Sequence, residues 1–156
     1  MSELRVPTVA LATEITCTDG RAFTGRVFVP AAAARHSGPM RPEEWINEPA
    51  AFFPFLPDDA QVSVLLNKNE VLVITTGVMG GQPDLPLEHG PEGGERRVAV
   101  ECGDLRLEGV LRIDMPAGHR RVLDALNRPE MFLVLRADDR LHLVQKRHVT
   151  RVMELW

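Results

Sequence analysis

The chain has 156 residues, of which 44% are hydrophobic and 26% charged, and its formal net charge at pH 7 is −4. This balance is typical of a globular protein and excludes a disordered chain. No window approaches the roughly 18 apolar residues of a membrane-spanning helix, and charges and a proline interrupt residues 1–7, where a signal peptide would be apolar. We therefore expect a cytoplasmic protein without a membrane partner.

The first strongly patterned segment predicts a β-hairpin. Residues 9–16 are rich in β-branched side chains, Asp19-Gly20 is a strong hairpin-turn signal, and residues 22–29 form the returning strand. Gly25 lies inside that strand and has no side chain to pack. We therefore expect Gly25 to mark a bulge, or the bend at which a small barrel turns a corner.

A short helix and three further strands follow the hairpin. Residues 43–47 predict the helix, which ends before Pro49 because proline cannot continue it. We interpret Trp45 within this helix as a cover of the core, with stacking on a nucleic-acid base as the alternative. The three strands are predicted at residues 51–56, 61–66 and 71–75.

The second half of the chain repeats this order. Its predicted segments are strands at 97–102, 105–113, 131–135, 140–144 and 149–155, and a helix within 118–127. We expect Asn127 to close that helix in the left-handed conformation that asparagine tolerates. The positions expected to be structural in both copies are Gly25, Asn47, Pro49, Gly109, Asn127 and Pro129. Such a repeat indicates one supersecondary design used twice.

Residues 77–95 separate the two copies. This segment contains 6 Gly, 3 Pro and 4 acidic residues in 19 positions, a composition too poor in apolar side chains to order itself. We therefore predict a domain at 1–76, a linker at 77–95 and a second domain at 96–156. Domains this small bury only about 60% of their unfolded surface, so we expect them to pack together or to oligomerise.

The residues before the last strand of each copy resemble a phrase of the Sm proteins. The two phrases are Leu66-Asn67-Lys68-Asn69-Glu70-Val71 and Val144-Gln145-Lys146-Arg147-His148-Val149. Both are similar to the apolar-Arg-Gly-x-x-Ile stretch before the final strand of that family. The resemblance implies a mainly β fold of two tandem five-stranded small barrels of the Sm-like or SH3-like type, each with a short helix inserted between strands 2 and 3. It does not extend to RNA-binding residues, because a proline and the helix replace the family's Asp-x-x-x-Asn element, and Asn69 or Arg147 replaces its glycine.

The residue pattern contains no recognisable catalytic or metal site. The histidines are scattered, without the Cys-x-x-Cys or His-x-x-x-His spacing of a metal site. Cys17 and Cys102 have no histidine nearby in sequence and no helix N-terminus to activate them, so we interpret them as reduced, buried thiols, with a disulfide as the alternative. The paired aspartates after the third strand of each copy are typical of turns. We therefore expect no enzymatic activity, no cofactor and no metal.

Charge is divided between the halves. Residues 1–95 hold 6 Lys/Arg and 13 Asp/Glu, a net −7, and residues 96–156 hold 12 and 9, a net +3. The candidate partner-binding residues are Arg140, Lys146, Arg147, His148 and Arg151, together with Trp45. Because small barrels expose strand edges, we expect a non-catalytic protein-interaction or scaffold module that self-associates or docks a protein partner. The alternative is an Sm-like protein that binds RNA through its basic second repeat.

Overall fold

The computed structural model describes residues 7–33, 37–77, 94–113, 118 and 121–155, and the fold is mainly β, as the sequence predicts. The first half contains β1 (Thr8–Cys17), β2 (Ala22–Pro30), α1 (Pro42–Ile46), β3 (Phe52–Pro57), β4 (Val64–Asn67) and β5 (Val71–Gly77). The second half contains β6 (Glu95–Cys102), β7 (Leu105–Arg112), α2 (Val122–Leu126), β8 (Phe132–Ala137), β9 (Arg140–Gln145) and β10 (Val149–Glu154). A 3-10 turn precedes the last strand of each half, at Lys68–Glu70 and Lys146–His148.

The strands form one antiparallel sheet in the order β10-β6-β7-β8-β9-β5-β1-β2-β3-β4. Strands β1 to β5 supply one block of five neighbours, here called the first block, and β6 to β10 supply the second block. In each block the last strand lies beside the first. The two blocks meet where β5 pairs with β9, so β4 and β10 are the end strands of the sheet.

Glycine closes the first hairpin of each block. Gly20 has φ of 87° between β1 and β2, and Gly103 has φ of 58° between β6 and β7. This left-handed backbone is strained for side chains with a Cβ atom, which explains the residue type at both turns. The predicted hairpins are present, whereas the fourth strand of the first block begins at Val64 and not at the predicted Gln61.

Gly25 and Gly109 occupy the closest approach between the second and third strands of each block. A Cβ atom on Gly25 would lie 2.2 Å from the Leu56 carbonyl oxygen, and one on Gly109 would lie 2.9 Å from the Arg136 carbonyl oxygen. No side chain can be accommodated at such distances without moving the neighbouring backbone. Close approach of the neighbouring strand is therefore the reason for glycine at these two positions.

The two helices begin and end in the same way. Arg41 N donates to Glu44 Oε1 before α1, and Arg121 N donates to Asp124 Oδ2 before α2, at 3.2 and 3.3 Å. The expected left-handed conformation of Asn127 is wrong, because its φ is −88°. Its N–H instead completes the last helical turn, so no left-handed cap is needed. Asn47 has the same φ of −88° after α1, and Pro49 and Pro129 follow at bends.

Two hydrophobic clusters form the core, and each draws side chains from both blocks. The cluster of the first block, around Ile15 and Phe55, also contains Phe132 and Leu143 of the second block. The cluster of the second block, in turn, includes Leu72 of β5. The pairing of β5 with β9 therefore buries apolar side chains on both faces of the sheet.

The predicted linker overlaps the strands at both of its ends. Gly77 is the last residue of β5, and Glu95 is the first residue of β6. Residues 78–93 lie outside the described residues.

Candidate protein-interaction surface

The contact between β5 and β9, here called the internal junction, is an antiparallel ladder of five residue pairs that begins with Val73 opposite Val144. Within it, Thr75 Oγ1 and His142 Nδ1 form a hydrogen bond of 2.8 Å. Burial, helped by the neighbouring Arg140, lowers the pKa of His142. The junction thus keeps the imidazole neutral and hydrogen-bonded between the blocks.

Polar contacts beside the ladder reinforce the internal junction. Asn47, at the end of α1, accepts a hydrogen bond at Oδ1 from Phe132 N at 2.9 Å. Gln145 Nε2 donates to the Lys68 carbonyl oxygen at 3.3 Å, and Gln145 is only 2% exposed. Both contacts join residues that are far apart in the sequence, so they depend on the docking of the two blocks.

The repeat relates the strands of the internal junction to the end strands of the sheet. We call residues at the same position of the two copies counterparts. β10 is the counterpart of β5, with Val149 matching Val71, and β4 is the counterpart of β9, with Asn67 matching Gln145. Within the described ranges, no strand pairs with the outer edge of β4 or β10. The sheet ends therefore present the same two kinds of strand edge that meet at the internal junction.

Apolar side chains are exposed along the β4 end of the sheet. These side chains, here called the apolar strip, are Phe52, Val62, Val64 and Leu65. Phe52 and Leu65 are 56% and 70% exposed, whereas their counterparts at the internal junction, Phe132 and Leu143, are 2% and 0% exposed. The two positions carry the same residue types and differ in what covers them. Exposed apolar side chains beside an unpaired strand edge are typical of an interaction site.

The backbone of β4 also has groups directed outward. Lys68 N donates to the Ala51 carbonyl oxygen at 2.9 Å. Because hydrogen-bonded pairs alternate along an antiparallel ladder, Leu66 and Val64 share their backbone bonds with β3. The N–H and C=O of Leu65 between them therefore point to the free edge, where a further strand can pair with them.

The backbone of β10 likewise has groups directed outward. Leu155 N donates to the Arg97 carbonyl oxygen at 2.8 Å, so Met153 shares its backbone bonds with β6. The N–H and C=O groups of Val152 and Glu154 therefore point outward. Val152 is half-buried and packs against the core cluster of the second block.

Two of the arginines selected from the sequence form ion pairs. Arg151 Nη2 lies 2.7 Å from Glu101 Oε1, and Arg140 Nη1 lies 3.7 Å from Glu14 Oε1. The hydrogen bond from Arg151 lowers the pKa of Glu101. The pair between Arg140 and Glu14 joins β9 to β1 and so bridges the blocks. A nucleic-acid phosphate would compete with these carboxylates for both guanidinium groups.

Lys146 and His148 bind backbone carbonyl groups. Lys146 Nζ donates to the Leu126 carbonyl oxygen at 3.1 Å and to that of Arg128. Burial lowers the pKa of Lys146. His148 Nε2 lies 2.7 Å from the Asn69 carbonyl oxygen of the first block. These two side chains therefore hold parts of the fold together.

Replacing Lys146 with methionine is expected to lower the free energy of unfolding by about 1–2 kcal/mol, because the carbonyl groups of Leu126 and Arg128, at the C-terminal end of α2, lose their shared donor. Arg147→Met is the matched control, since Arg147 is exposed on the same 3-10 turn. Urea unfolding followed by circular dichroism measures both changes. Equal stability of the two variants would contradict a structural role for Lys146.

Trp45 of α1 packs onto the first block. Its ring centroid lies 5.2 Å from that of Phe53, with an angle of 81° between the ring planes. Trp45 also packs against the core cluster of that block. This edge-to-face arrangement is typical of a ring that stabilises a core.

An open cleft of about 760 Å³ lies beside the internal junction, between α1 and the second block. Its lining combines five basic and four acidic side chains. Mixed charge of this kind selects neither a phosphate nor a cation.

Neither an activated cysteine nor a metal site is found in the part of the chain that the structure describes. Cys17 and Cys102 are buried and free, and burial raises the pKa of both thiols, so both are protonated at neutral pH. No group of three or more His, Cys, Asp or Glu side chains in these ranges is placed to hold a metal ion.

Sequence reasoning missed the apolar strip. One local signal was available, because the run from Val62 to Leu66 is apolar at nearly every position and so predicts a strand covered on both faces. Only the position of β4 at the end of the sheet shows that one face lacks its cover.

Neither helix in the described ranges has the length and apolar content needed to cross a bilayer. The chain matches no protein-family model, and no curated protein and no solved structure is significantly similar to it.

Proposed function

We propose that this protein is a non-catalytic interaction module in which two five-stranded small β-barrels, joined at the internal junction, present strand edges to a protein partner. Each barrel carries one short helix between its second and third strands. Two features support the barrels: the last strand of each block lies beside its first, and Gly25 and Gly109 permit a sharp approach of the second and third strands.

The observation that carries the proposal is the apolar strip at the β4 end of the sheet. An added strand would cover Phe52 and Leu65, which are exposed, and would pair with the outward N–H and C=O of Leu65. Strand addition of this kind combines backbone hydrogen bonds with apolar side-chain contacts. The ion pairs and carbonyl contacts of the basic residues favour this function over RNA binding.

The test compares the wild type with Leu65→Lys, which places a charge on the apolar strip. Leu123→Lys is the matched control, because Leu123 is 57% exposed on α2, outside both end strands. Each purified chain is incubated alone and with an extract of the source cells, with and without nuclease, and its mass is measured by size-exclusion chromatography with light scattering. We expect a heavier species for the wild type and for Leu123→Lys, and the 17.4 kDa chain mass for Leu65→Lys.

Three outcomes would overturn the proposal. The first is a wild type that stays at 17.4 kDa under every condition. The second is a heavier species that Leu65→Lys also forms. The third is a heavier species that nuclease removes, which would assign RNA binding to the protein.

A further inference from the structure

We propose that the strand that covers the apolar strip is β10 of a second copy of this chain, so that copies assemble head to tail through β4 and β10. This inference rests on the proposed function and names its partner. Its basis is the repeat, because β5 and β9 already make this contact inside one chain and β10 and β4 are their counterparts.

The internal junction determines the register of the contact between copies. When the residue pairs of the internal junction are transferred to their counterparts, they predict the pairs between copies. These pairs are Arg151 with Leu66, Val152 with Leu65, Met153 with Val64 and Glu154 with Ser63. At the internal junction, Ile74 lies opposite Leu143, and both are 0% exposed. Val152 opposite Leu65 would repeat this apolar pair between copies.

Backbone geometry supports the same register. At the internal junction, Lys146 N donates to the Met131 carbonyl oxygen, so the alternation of the ladder directs the N–H and C=O of Leu143 toward β5. Leu65, the counterpart of Leu143, directs its N–H and C=O to the free edge of β4. Val152 does the same on β10. The two end strands therefore have matching donors and acceptors in the expected register.

The side chain of Phe52 supplies a second point of contact. Phe132 enters the core cluster of the first block, and its N–H donates to Asn47 at 2.9 Å. By the repeat, Phe52 would enter the core cluster of the second block of a neighbouring copy, beside Asn127. The exposed phenyl ring of Phe52 would then be buried as that of Phe132 is.

The proposed contact joins two different edges, so each copy has one edge of each kind. A head-to-tail contact between unlike edges either closes into a ring or continues as a filament. It differs from a symmetric dimer in which β4 of one copy pairs with β4 of another. Mixing of variants that each have one blocked edge, and cross-linking between copies, separate these arrangements.

The first experiment uses two variants, each of which has one end strand blocked against pairing. Leu65→Lys blocks β4, and Glu154→Pro blocks β10 by removing an outward N–H, a change that an edge strand tolerates. We expect the wild type to form species larger than a dimer, each variant alone to stay at 17.4 kDa, and an equimolar mixture to give a dimer of twice that mass. The double variant Leu65→Lys/Glu154→Pro is the control and should dimerise with neither.

The second experiment tests the register by cross-linking. A Val64→Cys chain is mixed with a Met153→Cys chain under mild oxidation. These two positions lie directly opposite each other in the expected register and form a non-hydrogen-bonded pair, in which the side chains are close enough for a disulfide. We expect a disulfide-linked heterodimer, and at least tenfold less with Arg151→Cys, which is two residues out of register. The native thiols of Cys17 and Cys102 are buried and should not compete.

The outcomes separate this inference from the proposed function. A purified wild type that stays monomeric at high concentration, yet enters a heavier complex with cell extract, would overturn the second copy as partner and leave the interaction function in place. Dimers formed by Glu154→Pro alone, or predominant Val64→Cys homodimers, would also overturn it by showing a β4 to β4 contact. A mixture that stays monomeric would overturn it as well.

Discussion

Replacing Phe132 with alanine is expected to lower the free energy of unfolding by about 3–5 kcal/mol, the usual cost of removing a buried phenyl ring. Phe132 is 2% exposed and belongs to the core cluster of the first block although it lies on β8 of the second. The substitution therefore leaves a cavity at the internal junction, and both blocks should become less stable. Urea unfolding monitored by circular dichroism and by tryptophan fluorescence measures the loss.

Phe52→Ala is the matched control for this prediction. Phe52 occupies the counterpart position and is 56% exposed, so in the monomeric Glu154→Pro background its replacement should change stability by less than about 1 kcal/mol. In the wild-type background the same change should weaken the head-to-tail assembly. Similar losses for Phe52→Ala and Phe132→Ala in the monomer would mean that the two rings are equally buried, which would contradict the asymmetry between the sheet end and the internal junction.

Replacing Gly25 with valine is expected to destabilise the protein by about 3 kcal/mol or more, because the new side chain collides with backbone. The added Cβ would lie 2.2 Å from the Leu56 carbonyl oxygen and 2.6 Å from Phe55 Cζ. Relief of the first collision requires β2 and β3 to separate, which also disturbs the core side chain of Phe55. The shift in the urea midpoint, measured at constant slope, gives the magnitude.

Two other glycines calibrate the effect. Gly109→Val should cost about 1–3 kcal/mol, because its Cβ would lie farther from the neighbouring backbone, at 2.9 Å from the Arg136 carbonyl oxygen. Gly77→Ala should have little effect, since a Cβ there would meet nothing within 4 Å. If Gly25→Val were as stable as Gly77→Ala, the second and third strands would not approach closely at Gly25, and this glycine would not mark a barrel corner.

The unequal burial of equivalent positions connects these predictions to the proposed assembly. Leu143 and Leu65 have the same residue type and the same place in the repeat, yet one is 0% and the other 70% exposed. The internal junction shows that the repeat can cover this position with its own last strand. Covering it again with the last strand of another copy requires no new kind of contact.

Local features of the fold could be read from the amino-acid sequence alone. The hairpins follow from turn residues such as Gly20 and Gly103, whose backbone requirement is local. The order of strands and helices in each copy follows from apolar patterning and from prolines such as Pro49 and Pro129. A proline cannot continue a helix whatever its distant contacts are, because it has no N–H to donate. Gly25 and Gly109 could also be recognised as special, because glycine is unfavourable inside an ordinary strand.

The tertiary structure alone decided which equivalent positions are covered. Phe52 and Phe132 have the same residue type in the same local pattern, so only the neighbour across the sheet distinguishes an exposed ring from a buried one. Lys146 belongs to a polar turn in the sequence, and its role depends on the carbonyl groups of Leu126 and Arg128, which lie 20 and 18 residues away in the chain. Local physical chemistry determines the elements of this protein. The order of the ten strands in the described ranges determines which edges remain unpaired, because burial depends on contacts between residues far apart in the chain.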